Sequence, residues 1–127
     1  MRLLMDTHAV LWFLSDAEKL SAAAFGAILE PSNEKYVSIA SAWEFAVKLS
    51  IGKLKFEGGV ECFLNILEDN GFGLFPIKGK HIVRLENLPF HHRDPFDRML
   101  VATAMSEDMS IVSGDSSLSL YGVPIVW

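Results

Sequence analysis

Short apolar runs and longer amphipathic stretches alternate along almost the whole chain. The short runs are typical of strands, whereas the longer stretches repeat apolar residues every three or four positions and predict helices. Ser21, Pro31, Gly52 and the pair Asn70-Gly71 mark helix boundaries. The pattern predicts strands at 2–5, 36–39, 73–76, 110–113 and 124–126, and helices at 7–15, 19–30, 42–51, 60–69, 79–86 and 95–107.

Alternation of strands and helices predicts an α/β fold. The sheet should be short, mostly parallel and covered by helices on both faces, which gives three layers. A chain of 127 residues is expected to form a single domain spanning 1–127. In parallel sheets ligands bind at the carboxyl ends of the strands. Polar residues that directly follow a strand are therefore the first candidates for a functional site.

Composition and charge limit the function classes. Half of the residues are hydrophobic, no apolar run approaches the ~20 residues of a membrane span, and the one cysteine cannot form an internal disulfide. These features favour a reducing, cytoplasmic compartment. The formal net charge of −5 is unusual for a protein that binds nucleic acid, because phosphate contacts depend on Lys and Arg. Bound divalent cations would neutralise acids locally.

Two acids follow the first two predicted strands. Asp6 interrupts an apolar stretch, and it either caps the helix at 7–15 or binds a metal, in which case Thr7 could serve as the cap. Glu44 lies in Ser41-Ala42-Trp43-Glu44, which fits a capping box with Ser41 as N-cap and Glu44 at N3. A carboxylate in the first turn of a helix can also point towards a cation.

Two more candidates are Asp97, at the start of the last predicted helix, and Asp115, after a late strand. Asp94 and Pro95 fit the N-cap and N1 positions of the helix at 95–107, which leaves Asp97 at N3 as the better ligand candidate. Asp115 follows the strand at 110–113, where Gly114-Asp115-Ser116-Ser117 is typical of a turn, and it could also cap a short helical turn. Taken alone, Asp115 is more typical of a turn than of a metal ligand.

No single one of these acids identifies a site. Their common location in the predicted fold is the stronger evidence. Asp6, Glu44, Asp97 and Asp115 each fall at the carboxyl end of a strand or the start of a helix, which places them on one sheet edge. Four carboxylates on one edge repel one another strongly unless cations lie among them. Oxygen ligands favour Mg²⁺ or Mn²⁺ over zinc.

At this point the sequence resembles the PIN-domain ribonucleases, and most closely the VapC-type toxins of type II toxin–antitoxin pairs. The resemblance covers nearly the whole chain, and Asp-Pro-Phe-Asp-Arg is its most specific element. The matching segments are Leu4-Met5-Asp6-Thr7-His8 with Leu11-Trp12, Ser41-Ala42-Trp43-Glu44, His92-Arg93-Asp94-Pro95-Phe96-Asp97-Arg98-Met99-Leu100, and Ser113-Gly114-Asp115.

The resemblance implies a PIN-like three-layer α/β/α fold and an Mg²⁺- or Mn²⁺-dependent endoribonuclease. It makes Asp6, Glu44, Asp97 and Asp115 the metal-binding, catalytic acids, of which the fourth is the most variable in the family. It also implies cleavage that leaves a 5′-phosphate and a 3′-hydroxyl. The implied partners are RNA, a cognate antitoxin and a second copy of the chain.

Basic and aromatic residues near these acids have more than one interpretation. Arg93, Arg98 and Thr7 are candidates to contact the RNA, whereas Lys48, Lys53 and Lys55 are more typical of a solvated face. The histidines His8, His91 and His92 fit hydrogen-bonding or turn positions, and His92 could touch substrate. The aromatic neighbours Trp12, Phe13, Trp43 and Phe45 are more typical of core packing or of a protein interface than of base stacking.

Two other interpretations remain open at this stage. A receiver-like signalling domain also uses acids and Mg²⁺, but it needs a phosphoacceptor Asp and a late Lys, and neither Glu44 nor Ser113-Gly114-Asp115 fits. A non-catalytic PIN scaffold that only binds a partner would keep the fold without cleaving RNA.

Overall fold

The first apolar run of the chain forms the central strand of a five-stranded sheet. A computed structural model describes residues 1–127. Every adjacent pair of strands in the sheet is parallel. The strands are β1 (Arg2–Met5), β2 (Glu34–Ser38), β3 (Phe72–Phe75), β4 (Ser110–Val112) and β5 (Ile125–Val126), in the order β3-β2-β1-β4-β5. The prediction of a parallel α/β fold is confirmed.

Helices connect the strands and cover both faces of the sheet. They are α1 (Thr7–Ser15), α2 (Ala22–Leu29), α3 (Ile39–Ser50), α4 (Gly59–Asp69), α5 (Gly79–Glu86) and α6 (Pro95–Glu107). Two short 3₁₀ helices, Ala17–Lys19 and Ser116–Tyr121, complete the connections. None of the helices is long and apolar enough to cross a membrane.

Strand β1 divides the core into two clusters because successive side chains of a strand point to opposite faces. Leu3 and Met5 are fully buried on one face, where they pack in a cluster with Phe45 of α3 and Phe63 of α4. Leu4 is fully buried on the other face, in a cluster that includes residues of α6. Helices thus cover both faces of the sheet, and the ends of the strands remain accessible.

The main difference from the predicted elements concerns α3. Strand β2 ends at Ser38 and α3 begins at the next residue, three positions before the predicted start at 42. The hydroxyl of Ser38 caps the helix by accepting the N–H of Ala40 at 3.0 Å. The capping box with Ser41 as N-cap is therefore wrong, because the strand passes into the helix without a loop.

The other boundaries agree more closely. Ser21 is the N-cap of α2 as expected, although that helix is shorter than the predicted 19–30 because Ala17–Lys19 forms a separate 3₁₀ turn. Asp94 caps α6 and Pro95 occupies N1, both as predicted.

Candidate active site

Asp6 is the first residue beyond the carboxyl end of β1 and is buried, with 6% of its surface exposed. Its Oδ1 accepts the N–H of His8 at 3.1 Å, so Asp6 is the N-cap of α1. Its Oδ2 accepts the hydroxyl of Ser113 at 2.6 Å from the neighbouring strand end. One carboxylate oxygen of Asp6 therefore caps α1 and the other is held by Ser113, and the alternative that Thr7 caps the helix is wrong.

Glu44 lies in the second turn of α3 and is 4% exposed. The hydroxyl of Thr7 donates to its Oε1 at 2.7 Å, and Lys48 approaches its Oε2 at 3.0 Å. Lys48 is thus an ion-pair partner of the site rather than part of a solvated face. Thr7 is 3% exposed and its hydroxyl is already used. It orients Glu44 and is not placed to contact RNA.

Asp97 occupies the N3 position of α6, where its N–H donates to the capping carboxylate of Asp94 at 3.1 Å. Burial raises the pKa of Asp97 to about 7, and the negative charges of Asp6, Asp94 and Glu44 act in the same direction, whereas His92 opposes them. Asp94 belongs to the same segment as Asp97, whereas Asp6 and Glu44 come from two other segments, after β1 and on α3. A bound cation would relieve the repulsion among these charges.

Asp115 caps the 3₁₀ helix that follows β4. Its Oδ1 accepts the N–H of Ser117 at 2.9 Å and the Ser117 hydroxyl at 2.7 Å. Burial raises the pKa of Asp115, but the hydrogen bonds from Ser117 and His92 outweigh this effect, so the net shift is downward. Asp115 is the most exposed of the four acids whose side chains gather at this edge, at 38% for its side chain.

His92 joins Asp97 and Asp115. Its Nε2 lies 3.3 Å from Oδ2 of Asp97 and 3.0 Å from Oδ2 of Asp115. One potential ligand atom from each of these three residues lies within 4.8 Å of the other two, which is a spacing that could hold a metal ion. The sequence indicated a hydrogen-bonding role for His92 but not this bridge. The sequence feature that could have indicated this bridge is the position of His92, two residues before Asp94, the N-cap of α6.

The two candidate arginines are placed differently. Arg93 is exposed and forms no ion pair, so it is free to meet a phosphate. Arg98 is 6% exposed, and its guanidinium donates to the carbonyl oxygens of Pro89 at 2.9 Å and Leu88 at 3.3 Å. The expectation that Arg98 contacts RNA does not fit this geometry, because its donors hold together the segment that carries His92.

A cleft of about 400 Å³ opens beside the acids. The ring centroids of Trp12 and Trp127 lie 6.0 Å apart along it, and Lys19 lies 6.0 Å from the Trp12 ring. A Cβ at Gly114 would lie 2.8 Å from Trp127, so only glycine allows Trp127 to pack against this loop. The cleft is lined by Asp6, His8, Ala9, Trp12, Lys19, Gly114, Asp115 and Trp127.

The chain belongs to the PIN domain family: the model of the PIN domain matches residues 3–123. The family resemblance and the fold class expected from the sequence are confirmed. PIN domains are generally nucleases. The strand order also separates this chain from the receiver-like alternative, in which the order is 2-1-3-4-5. A search of curated protein sequences gives no match to this chain.

Solved structures share the fold at low sequence identity. A chain of VapBC2 from Rickettsia felis, crystallised with a promoter DNA fragment, has a TM-score of 0.74 and 12% identity, covering 98% of this chain and 97% of that one. For VapBC-1 from nontypeable Haemophilus influenzae the TM-score is 0.70 and the identity 11%, with 98% and 96% covered. The PIN domain endonuclease Utp24 has a TM-score of 0.57 and 17% identity, with 98% and 82% covered.

The raised pKa of Asp97 predicts a pH-dependent stability of the metal-free protein. The pKa rises from 3.8 to about 7 on folding, so the stability from a neutral Asp97 is present below about pH 4 and is lost as the pH rises through about 7. In EDTA, Asp97→Asn should therefore be more stable than the wild type at pH 8, by about 2–4 kcal/mol, and by less than about 1 kcal/mol at pH 4.

Urea unfolding at both pH values measures this difference. Asp69→Asn is the matched control, because Asp69 is exposed at the end of α4 and forms no ion pair, so its effect should not depend on pH. Equal stability of Asp97→Asn and wild type at pH 8 would show that the carboxylates do not strain one another.

Proposed function

We propose that the protein is a metal-dependent endoribonuclease that hydrolyses RNA phosphodiester bonds. The observation that carries this proposal is the convergence of Asp6 after β1, Glu44 on α3 and Asp97 on α6, close enough for Asp6 and Glu44 to raise the pKa of Asp97. Mutually repelling, partly buried carboxylates are typical of sites that bind hard divalent cations. Membership of the PIN family supports the same reaction class.

The donor set fits Mg²⁺ or Mn²⁺. Asp6, Glu44, Asp97 and Asp115 would hold the ion, and all of them offer oxygen atoms, which these ions prefer. When bound, such an ion lowers the pKa of a coordinated water and stabilises negative charge on the phosphate. The protein groups orient the ligands: Ser113 fixes Asp6, while Thr7 and Lys48 fix Glu44.

Few positively charged side chains lie near the acids. Arg93 is exposed beside the cap of α6 and would contact a phosphate oxygen of the RNA. Lys48 is already paired with Glu44. A net charge of −5 makes the bound cation the main attraction for the RNA backbone at this edge of the sheet.

We further propose that the chain is the toxin of a toxin–antitoxin pair and is inhibited by a cognate antitoxin. The support is that VapBC2 and VapBC-1 match nearly the whole chain, together with the PIN family model. A non-catalytic scaffold with the same fold would bind a partner but would not cleave RNA, so the cleavage assay separates the two.

Conversion of either central acid to its amide should abolish cleavage and leave the fold intact. Asp6→Asn and Asp97→Asn keep the shape of the side chain but remove the charge that would hold the ion, so the rate in Mg²⁺ should fall by about two orders of magnitude or more. The rate is measured on single-stranded RNA, with circular dichroism to confirm folding and EDTA to remove metal.

Asp69→Asn serves as the control and should cleave at the wild-type rate. Normal cleavage by folded Asp6→Asn or Asp97→Asn would contradict the site assignment. Absence of cleavage in the wild type, combined with Mn²⁺ binding by calorimetry that Asp6→Asn does not alter, would favour the scaffold.

We propose that a base of the RNA substrate stacks in the cleft beside Asp6 and Asp115. The indole rings of Trp12 and Trp127 form one wall, within the same cleft as both acids. Stacking of a base on an aromatic ring contributes about 1–3 kcal/mol, so Trp127→Ala should weaken binding of single-stranded RNA about tenfold. Fluorescence anisotropy in an Asp97→Asn background measures binding without cleavage.

Phe25→Ala is the matched control because Phe25 is 38% exposed, close to the 39% of Trp127, but lies on α2 away from the cleft lining. An unchanged affinity in Trp127→Ala would show that the base is held elsewhere, and an equal loss in Phe25→Ala would indicate a general effect on stability.

We propose that two copies of the chain associate through α3. Ile39, Trp43, Val47 and Ile51 follow one another at intervals of four residues, and each has at least 37% of its surface exposed. Residues at this spacing form one stripe along a helix. Two antiparallel copies of such a stripe can bury each other in a symmetric interface, which removes the apolar surface from water.

A charge in this stripe should separate the copies. Trp43→Glu is expected to convert a dimer to a monomer in sedimentation velocity experiments, because an unpaired carboxylate would be buried in the interface. Leu120→Glu is the control, since Leu120 is also 62% exposed but lies outside α3. A wild type that is monomeric at tens of micromolar (~10⁻⁵ M) would exclude a dimer of ordinary affinity.

A further inference from the structure

Both ring nitrogens of His92 are engaged, and one bond fixes the role of the other. The backbone N–H of Asp94 donates to Nδ1 of His92 at 3.0 Å. A backbone amide can only donate, so Nδ1 is an acceptor and carries no proton. The ring proton is therefore on Nε2, which donates to Oδ2 of Asp115 at 3.0 Å and faces Oδ2 of Asp97 at 3.3 Å.

The backbone of His92 is held as firmly as its ring. Its N–H donates to the hydroxyl of Tyr121 at 3.0 Å, and its carbonyl accepts from Arg98 at 3.5 Å. The side chain is 18% exposed. The Nε2–H group therefore stays between the two carboxylates and is not a freely rotating surface donor.

The Nε2–H group occupies the side of both carboxylates that faces the third member of the cluster. Its nitrogen lies 3.0 Å from Oδ2 of Asp115 and 3.3 Å from Oδ2 of Asp97. Mg²⁺ lies at about 2.0–2.1 Å from its oxygen ligands. An ion held by these two oxygen atoms would therefore need space beside them that the Nε2–H group fills, so the ion and the ring would compete.

We propose that His92 is a displaceable internal substitute for the divalent cation: its Nε2–H bridges Asp97 and Asp115 until an ion takes these oxygens and displaces the ring. This inference rests on the proposed function, in which these acids hold the ion. His92 is then a positioning residue and not a ligand. Ligation through Nε2 would require the proton to move to Nδ1, where it would face the N–H of Asp94.

Two consequences follow for the site. Without an ion, the bridge keeps the carboxylates of Asp97 and Asp115 together although both are acidic. With an ion, the hydrogen bond from His92 to Asp115 and its contact with Asp97 must be given up, which lowers the apparent affinity for the metal. His92 thereby raises the concentration of metal ion that is needed to fill the site.

Two variants separate competition from ligation. His92→Asn keeps a side-chain oxygen that can accept the N–H of Asp94 but lacks a donor at the position of Nε2. His92→Gln keeps an amide donor that reaches the carboxylates. At constant pH, calorimetric titration with Mn²⁺ should show about tenfold tighter binding to His92→Asn than to the wild type, and wild-type affinity for His92→Gln.

His91→Asn is the control, since the exposed His91 packs edge-on against Tyr121 without touching the acids, and its Mn²⁺ affinity should equal that of the wild type. Weaker Mn²⁺ binding in His92→Asn would overturn the inference. Pulsed electron paramagnetic resonance of bound Mn²⁺ adds an independent readout. A directly coordinated ¹⁴N signal that disappears in His92→Asn would identify His92 as a ligand and overturn it as well.

Nuclear magnetic resonance of the wild type tests the inference even if His92→Asn does not fold. With ¹⁵N-labelled histidine, the metal-free protein should show a protonated Nε2 on His92, and addition of Mg²⁺ should shift this signal. A protonated Nδ1 in the metal-free protein, or a signal that saturating Mg²⁺ leaves unchanged, would overturn the proposal.

The same titrations distinguish this inference from the proposed function. If neither the wild type nor Asp97→Asn binds Mn²⁺, the metal site itself is lost and both proposals fall. If Asp97→Asn abolishes wild-type binding while His92→Asn weakens it, the metal site stands and only the role of His92 is overturned.

Discussion

Repulsion among carboxylates is the constraint on which the candidate site of this protein depends. Strand ends and early helix turns bring four acids to one edge of the sheet, and the protein compensates each negative charge separately. Asp6 receives the hydroxyl of Ser113, Glu44 receives Lys48, and Asp115 receives His92. Asp97 receives the least compensation, and its pKa is raised to about 7 by burial and by its neighbours. A cation bound among these acids, as proposed, would relieve the remaining repulsion.

The fold places these groups by means of helix caps. Asp6 is the N-cap of α1, Asp94 is the N-cap of α6, and Asp115 is the N-cap of the 3₁₀ helix after β4. A capping carboxylate lies next to the backbone N–H groups of the first turn, which favour negative charge. Asp6 and Asp115, two of the candidate ligands, are therefore also helix caps, and the two roles are compatible at the same residue.

Buried side chains behind the acids hold the segment that carries His92. Arg98 is buried, and its guanidinium gathers carbonyl oxygens of the preceding segment, including that of His92. Tyr121 accepts the N–H of His92 and also lies 3.3 Å from the guanidinium of Arg98. The segment before α6 is thus fixed by buried hydrogen bonds, which explains why an arginine in the most specific motif of the chain points inward.

The sequence alone determined the α/β class, the parallel sheet and the caps Asp94 and Ser21, because apolar periodicity and capping preferences are local. Its motifs, Asp-Pro-Phe-Asp-Arg above all, pointed to the family by resemblance. The tertiary structure alone decided which side chains meet. The Ser113–Asp6 bond joins residues 107 positions apart, and the His92–Asp115 bond joins residues 23 apart. The inward turn of Arg98 likewise depends on burial that only the packed fold creates. Contacts between distant segments leave no periodic trace in the sequence, so they are set by the packing of the chain as a whole.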